Sequence, residues 1–189
     1  MPCNQDDTIL IQRCLSGDDT AFDLLIDRYK RQVYSLIYRL VRHPTDAEDL
    51  AHDTFIKAYR ALSTYDPRYP FITWLFRIAH NTTIDHLRAN KAHLLAIDDE
   101  DNLLEVECLD ERLMATADRL SDKSLIEKAL ASLPPNYREV LYLRHQQELS
   151  YEEISQTLNI PEGTVKIRLF RARNMMKERL RALGYDDHK

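Results

Sequence analysis

Between Ser150 and Leu180 the chain carries two helix signatures separated only by a short turn. Ser150-Tyr-Glu-Glu153 has the form of a capping box, in which serine and glutamate each satisfy the other's free backbone N–H, so a helix begins there. It carries Ile154 and Leu158 on one face. Asn159-Ile-Pro161 turns the chain, and a second helix starts near Glu162 with Gly163 and Thr164 in its first turn. At about 100° per residue, Val165, Leu169, Ala172, Met176 and Leu180 fall on one stripe, which is the face to be buried. The opposite face holds Gly163, Ile167, Phe170, Arg171 and Asn174, flanked by Lys166, Arg168 and Arg173. A solvated face would carry Lys and Glu instead of Ile167 and Phe170. A surface that enters the major groove of DNA fits better: arginine grips guanine bidentately and apolar side chains touch thymine methyls. Gly163 lets the backbone approach phosphate, and the helix N-terminus offers it free N–H groups. The expectation is a helix-turn-helix; the competing reading is an ordinary amphipathic helix with a basic solvent face.

The remainder of the chain also reads as helices. Three glycines leave little room for a Gly-rich nucleotide loop or a turn-dense β fold. Asp19 is expected to cap a helix carrying Phe22, Leu25, Ile26, Tyr29, Val33, Leu36, Ile37 and Leu40 at i, i+3, i+4 spacing. Pro44 stops it, and Thr45-x-x-Glu48 predicts a second capping box. The helix that follows buries Ala47, Leu50, Ala51, Phe55, Ala58 and Leu62 and shows Asp46, Asp49, His52, Asp53 and Lys57 on its other side. Tyr65-Asp-Pro-Arg-Tyr-Pro70 is a loop. A third helix covers about 72–89. A second block starts near Ser121, where Pro134-Pro135 separates a helix ending at Leu133 from one over Tyr137–Arg144.

Charge is segregated along the chain. The net charge of −5 looks wrong for a DNA binder, which needs Lys and Arg against phosphate. Yet the stretch 95–122 carries Asp98, Asp99, Glu100, Asp101, Glu105, Glu107, Asp110, Glu111, Asp118 and Asp122 against only Arg112 and Arg119. Of the 26 basic and 31 acidic residues, 24 and 21 lie outside it, so the remainder is slightly positive. Leu94, Leu95, Leu103, Leu104 and Leu109 punctuate the acidic stretch, which therefore reads either as a tether or as a segment that binds something in extended form. The fold class expected is all-α, with two small helical domains (1–94 and 122–189) joined by an acidic linker (95–121).

These motifs occur together in one known family. Asp46-Ala-Glu-Asp-Leu-Ala-His-Asp-Thr-Phe-Ile-Lys-Ala-Tyr-Arg60 resembles the polymerase-binding helix of bacterial sigma factors of the extracytoplasmic-function (ECF) group. Thr73-Trp-Leu-Phe-Arg-Ile-Ala-His-Asn81 is similar to their −10-reading helix. Leu133–Leu141, Leu149–Ile154 and Gly163–Arg173 are similar to their −35 domain. The resemblance spans about 18–183 in the family's order.

It implies a nonenzymatic subunit that binds core RNA polymerase, directs it to promoters and helps open the DNA. The implied polymerase-binding residues are Asp46, Asp49, His52, Asp53 and Lys57. Their partner would be the clamp helices of the largest subunit, with the flap of the second-largest subunit contacting the C-terminal domain. On the residues alone, this acidic face serves a basic partner or solvent equally well. The implied single-strand readers of the −10 element are Tyr65, Arg68, Tyr69, Trp74, Arg77, Asn81 and Arg88. Aromatics and Arg stack on or grip unstacked bases, and Asn reads their edges. Trp74 could equally be core. For the −35 duplex the set is Gly163, Thr164, Lys166, Ile167, Arg168, Phe170, Arg171 and Asn174. Lys166 replaces the arginine often found there, and Ile167 a small polar residue. The resemblance also implies that the linker enters the polymerase channel and that an anti-sigma protein clamps both domains.

Other chemistry finds little support. Seven histidines form no H-x-x-x-H or H-E-x-x-H. Cys3, Cys14 and Cys108 form no C-x-x-C and read as reduced thiols, with Cys14 or Cys108 as a redox sensor only a remote alternative. No metal, no cofactor and no enzymatic activity are expected. No apolar run reaches a membrane span and Met1–Asp7 is not signal-like, so the expectation is a cytoplasmic protein without membrane insertion. The second functional hypothesis is a self-sufficient regulator that binds duplex DNA through its C-terminal half alone.

Overall fold

The computed structural model describes residues 5–94 and 122–184, and among them every regular element is helical. The N-terminal block comprises α1 (Gln5–Leu15), α2 (Thr20–Val41), α3 (Pro44–Ala61), a short 3₁₀ turn (Leu62–Thr64) and α4 (Phe71–Leu94). The C-terminal block comprises α5 (Asp122–Ala131), α6 (Pro135–His145), α7 (Tyr151–Leu158) and α8 (Glu162–Ala182). The acidic stretch 95–121 lies outside the described residues.

α2 is the central element of the first block, packing against α1, α3 and α4. Its apolar stripe, from Phe22 through Leu40, is buried as its spacing predicts, apart from half-buried Ile26. Two caps differ from expectation. Asp19 makes no side-chain cap bond; its carboxylate instead accepts from the Tyr59 hydroxyl of α3, while Asp18 accepts from Thr20. At the start of α3 the cap is His43, whose Nδ1 accepts from the Asp46 amide at 3.4 Å, with Pro44 in the first turn. Proline lacks an N–H that an N-terminal turn leaves unpaired anyway, so Pro44 starts α3 and does not merely stop α2. α2 ends with Arg42 in the left-handed region at φ 58°. Thr45 and Glu48 are exposed inside α3 and form no capping box.

Helix α1 was not foreseen in the sequence. It buries Leu10, Ile11 and Cys14, and is tied down by Asp7, whose buried carboxylate accepts from Arg28 and from the Tyr29 hydroxyl. Burial, chiefly, raises the Cys14 thiol above its usual pKa, which disfavours the reactive thiolate and argues against redox sensing there.

In the second block α8 packs on α5, α6 and α7. The two blocks share one continuous core, because α6 lies on α2 and α7 on α4. Tyr142 of α6 is the hub of that junction. Its ring sits 6.4 Å from Phe76 and lies under the Arg39 guanidinium at 4.5 Å, and its hydroxyl donates to the Gln32 carbonyl at 3.0 Å. Arg39 also donates to Gln146 at 2.8 Å. Nearby, His80 Nδ1 meets Glu139 Oε1 at 2.7 Å, with Glu139 only 2% exposed. A buried carboxylate costs much unless it is paired, so this contact fixes how α4 and α6 meet. Replacing Glu139 with Ala strands His80 and should lower stability by about 1–3 kcal/mol. Urea unfolding checks this, and an unchanged midpoint would show that the pair does not hold the junction.

Candidate nucleic-acid interface

The helix-turn-helix forms as its capping box predicts. The Ser150 amide donates to Glu153 at 2.6 Å and the Glu153 amide to Ser150 Oγ at 3.1 Å. α7 ends at Asn159, which adopts φ 52° and ψ 44°. Asn tolerates this left-handed geometry better than most residues, so the chain reverses there without glycine. Ser155 then ties the turn by donating to the Ile160 carbonyl at 2.6 Å.

On α8 the inward stripe is only partly filled. Val165, Leu169 and Ala172 are fully buried, whereas Met176 and Leu180 are half-covered. The outward face is as expected: Ile167 is 54% and Phe170 65% exposed, beside exposed Gly163, Arg171 and Asn174. Three neighbours are more constrained. Lys166 pairs with Glu162 at 3.0 Å and lies 5.9 Å from the Tyr151 ring, while Arg168 and Thr164 are half-buried. A Cβ added at Gly163 would meet nothing within 4 Å, so nothing inside the fold requires glycine there.

A second feature lies on α4. Tyr69, Trp74, Arg77 and Asn81 line a common cleft of about 490 Å³. That volume falls within the ~300–1,000 Å³ typical of small-ligand sites. Trp74 is both things that the sequence left open, packed on the core at one edge and lining the cleft at another. Tyr65 is not in the lining but stands behind it, its ring 5.7 Å from Trp74 and its hydroxyl donating to the Tyr69 carbonyl at 2.6 Å. Arg68 is held on Asp66 at 2.8 Å, outside the cleft. The side-chain hydrogen bond from Arg68, first of all, keeps the Asp66 carboxyl below its ordinary pKa. Arg88 is exposed two turns beyond Asn81 and does not join the lining.

Besides Ala61, Thr64 and Ile78, the lining includes three polar residues outside the predicted set. Asp66 and Thr73 come from the loop and the first turn of α4; Thr73 is 3% exposed, and its hydroxyl has no partner among the described residues. The third is Gln156, which comes from α7 in the other block. Only the packing of α7 on α4 brings it there, so no local signal could have revealed it.

The acidic face of α3 presents exposed Asp49, His52, Asp53 and Lys57, with Asp46 half-buried. Asp46 lies 3.2 Å from His43, and Lys57 donates to Thr82 of α4 at 3.1 Å, so these two are fixed within the fold. Among the described residues no group of His, Cys, Asp and Glu could hold a metal ion. No described helix is long and apolar enough to cross a membrane.

The described residues thus present two distinct surfaces, the exposed outward face of α8 and the aromatic cleft on α4. Comparison with known proteins identifies the family. The model for sigma-70 region 2 matches residues 25–93, and that for sigma-70 region 4 matches residues 123–176. The ECF RNA polymerase sigma factor SigW of Bacillus subtilis is 37% identical over 187 residues, covering 92% of this chain and 96% of that protein. Among solved structures, CnrH in complex with the cytosolic domain of CnrY matches with a TM-score of 0.65 at 26% identity, covering 94% of this chain and 99% of that one. The sigma factor RpoE in complex with the anti-sigma factor NepR from Bartonella quintana shares the fold, with a TM-score of 0.63 at 23% identity over 85% and 96% of the two chains. The chain belongs to the sigma-70 family of RNA polymerase sigma factors, in its extracytoplasmic-function group.

If Gly163 is kept for what lies outside the fold, Gly163→Ala should fold normally. Alanine in a helix is favoured over glycine by up to about 1 kcal/mol, so the thermal midpoint should hold or rise. A lower midpoint would mean that the fold itself needs the glycine.

Proposed function

We propose that the chain works as two promoter readers joined by a linker, with 1–94 as the −10 and polymerase-docking domain, 95–121 as the linker and 122–189 as the −35 domain. The observation that carries this reading is the separation of two differently built surfaces on one fold. α8 offers a convex helix face with Ile167, Phe170, Arg171 and Asn174 pointing outward, suited to duplex DNA. α4 offers a cleft with Trp74, Arg77 and Asn81, suited to an unpaired base held by stacking and edge contacts. A simple duplex-binding regulator would need only the first.

In this reading the cleft takes one base of the opened strand. Trp74 supplies a π face, Arg77 a charge for the backbone, and Asn81 and Thr73 polar groups for the base edge. Tyr65 braces Trp74 from behind. Arg68 and Arg88, outside the cleft, serve the phosphates on either side. Asp49 and Asp53 on α3 dock on a basic surface of core polymerase, with Asp46 and Lys57 fixing the helix in place. The protein catalyses no reaction itself; it positions DNA for the polymerase. An anti-sigma protein is its expected inhibitor.

Run-off transcription with core polymerase on genomic fragments tests the whole reading, with promoter-specific starts expected only when both proteins are present. Tight sequence-specific binding to duplex DNA by the chain alone would favour the self-sufficient regulator instead. Arg171→Ala should cost about 1–3 kcal/mol at one −35 base pair, read by binding of the assembled polymerase to a set of single-base variants. A uniform loss across all variants would make Arg171 a phosphate anchor. Asp49→Lys with Asp53→Lys should abolish retention of core polymerase on the tagged chain. Unchanged retention would remove α3 as the docking helix.

A further inference from the structure

A second cavity lies away from both the α4 cleft and the outward face of α8. It is a groove of about 1150 Å³ between α2 on one side and α5, α6 and α8 on the other. Its apolar lining includes Leu130, Leu141, Met176 and Leu180. Met176 and Leu180 are the part of the α8 stripe that the folded blocks leave half-covered. Among the described residues the charged lining is one-sided: Arg39, Arg42, Lys128, Arg138, Arg173, Lys177 and Arg181 face one lining carboxylate, Glu127.

Two of these cations, Arg138 and Arg39, keep an unpaired donor among the described residues. Arg138 is only 8% exposed, and among the described residues its Nε, like that of Arg39, is buried without an acceptor. Burial first, then the charges of Arg42 and Arg39, push the Arg138 pKa down to about 10. Burial first, then Arg173 and Arg144, lower that of His145 in the same lining. A buried guanidinium with like charges around it and an open donor is stabilised by an anion.

We propose that this groove holds the chain's own acidic segment, residues 98–111, with its carboxylates on the Arg39, Arg42, Arg138 and Arg173 side and its leucines on Met176 and Leu180. The segment has the matching chemistry, since Asp98–Asp101, Glu105, Glu107, Asp110 and Glu111 alternate with Leu103, Leu104 and Leu109. It also has the reach. Ten residues separate it from α5, whose Ile126 and Leu130 line the groove. The stretch from Leu94 to Asp122 could span roughly 90 Å if extended, ample to cross a groove between neighbouring helices. Because the groove has one wall on each block, the docked segment clamps the blocks together. Separation of the blocks would dismantle the groove and free the segment for another basic cleft.

The test uses the full chain. In Cys3→Ser protein a nitroxide is placed on Cys108, within the segment, and methyl signals are compared with those of a diamagnetic label. Met176 and Leu180 should lose several-fold in intensity, while Ile167 on the opposite face of α8 keeps its signal. Neutralising Asp98, Asp99, Glu100 and Asp101 to Asn or Gln, or reversing Arg173 and Lys177 to Glu, should restore the Met176 and Leu180 signals. Equal loss on both faces of α8, no loss, or loss that survives both sets of substitutions would overturn the proposal. So would loss seen only when labelled chain is mixed with isotope-enriched unlabelled chain, which would mean that a second copy occupies the groove. No polymerase or DNA is present, so the result stands apart from the promoter-reading assignment.

Discussion

Tyr142 holds together what would otherwise be two small helical bundles. Packed against Phe76, covered by Arg39 and bonded to the Gln32 carbonyl, it joins α6 to both α2 and α4. The two blocks are each short, and small domains bury too little surface to be comfortably stable alone. Sharing one core through Tyr142 and the His80–Glu139 pair offsets that deficit. It also sets the relation between the functional surfaces. Because α7 is drawn onto α4, Gln156 stands at the rim of the cleft that Trp74, Arg77 and Asn81 line, while the outward face of α8 stays open.

Much of this was legible because it is local. The capping box at Ser150 is a four-residue signal, and the structure forms both its hydrogen bonds. The stripe from Phe22 to Leu40 and the exposure of Ile167 and Phe170 follow from helical spacing alone. Where two caps compete over a few residues, spacing was a poorer guide. Thr45 and Glu48 have the right letters for a capping box, but His43 and Pro44 start α3 two residues earlier and leave them on the surface. α1 was missed because its apolar face is brief and is anchored by Asp7, whose partners Arg28 and Tyr29 lie on another helix.

What could not be read was contact between distant segments. His80 belonged to no recognisable histidine motif, and its partner Glu139 lies 59 residues along the chain. Trp74 could not be assigned to core or site by spacing, since it faces both ways. Tyr65, Arg68 and Arg88 were grouped with the strand-reading residues by position. Side-chain packing separates them from the cleft by a ring contact, an ion pair and two helical turns respectively. The charge asymmetry was visible in the sequence, but its counterpart was not: the cations of the groove come from four helices that meet only in the fold.

The account turns on the junction: the two blocks rest against each other in the folded chain, and the proposed reading has core polymerase hold them apart so that a DNA strand enters the cleft that Gln156 borders. Spin labels on exposed Arg60 of α3 and Glu178 of α8 would report this by pulsed dipolar distance measurement. The free chain should give one narrow distribution that matches the folded arrangement, and added core polymerase should move it to a longer distance. A broad distribution in the free chain, or the same narrow one after polymerase binds, would contradict the account.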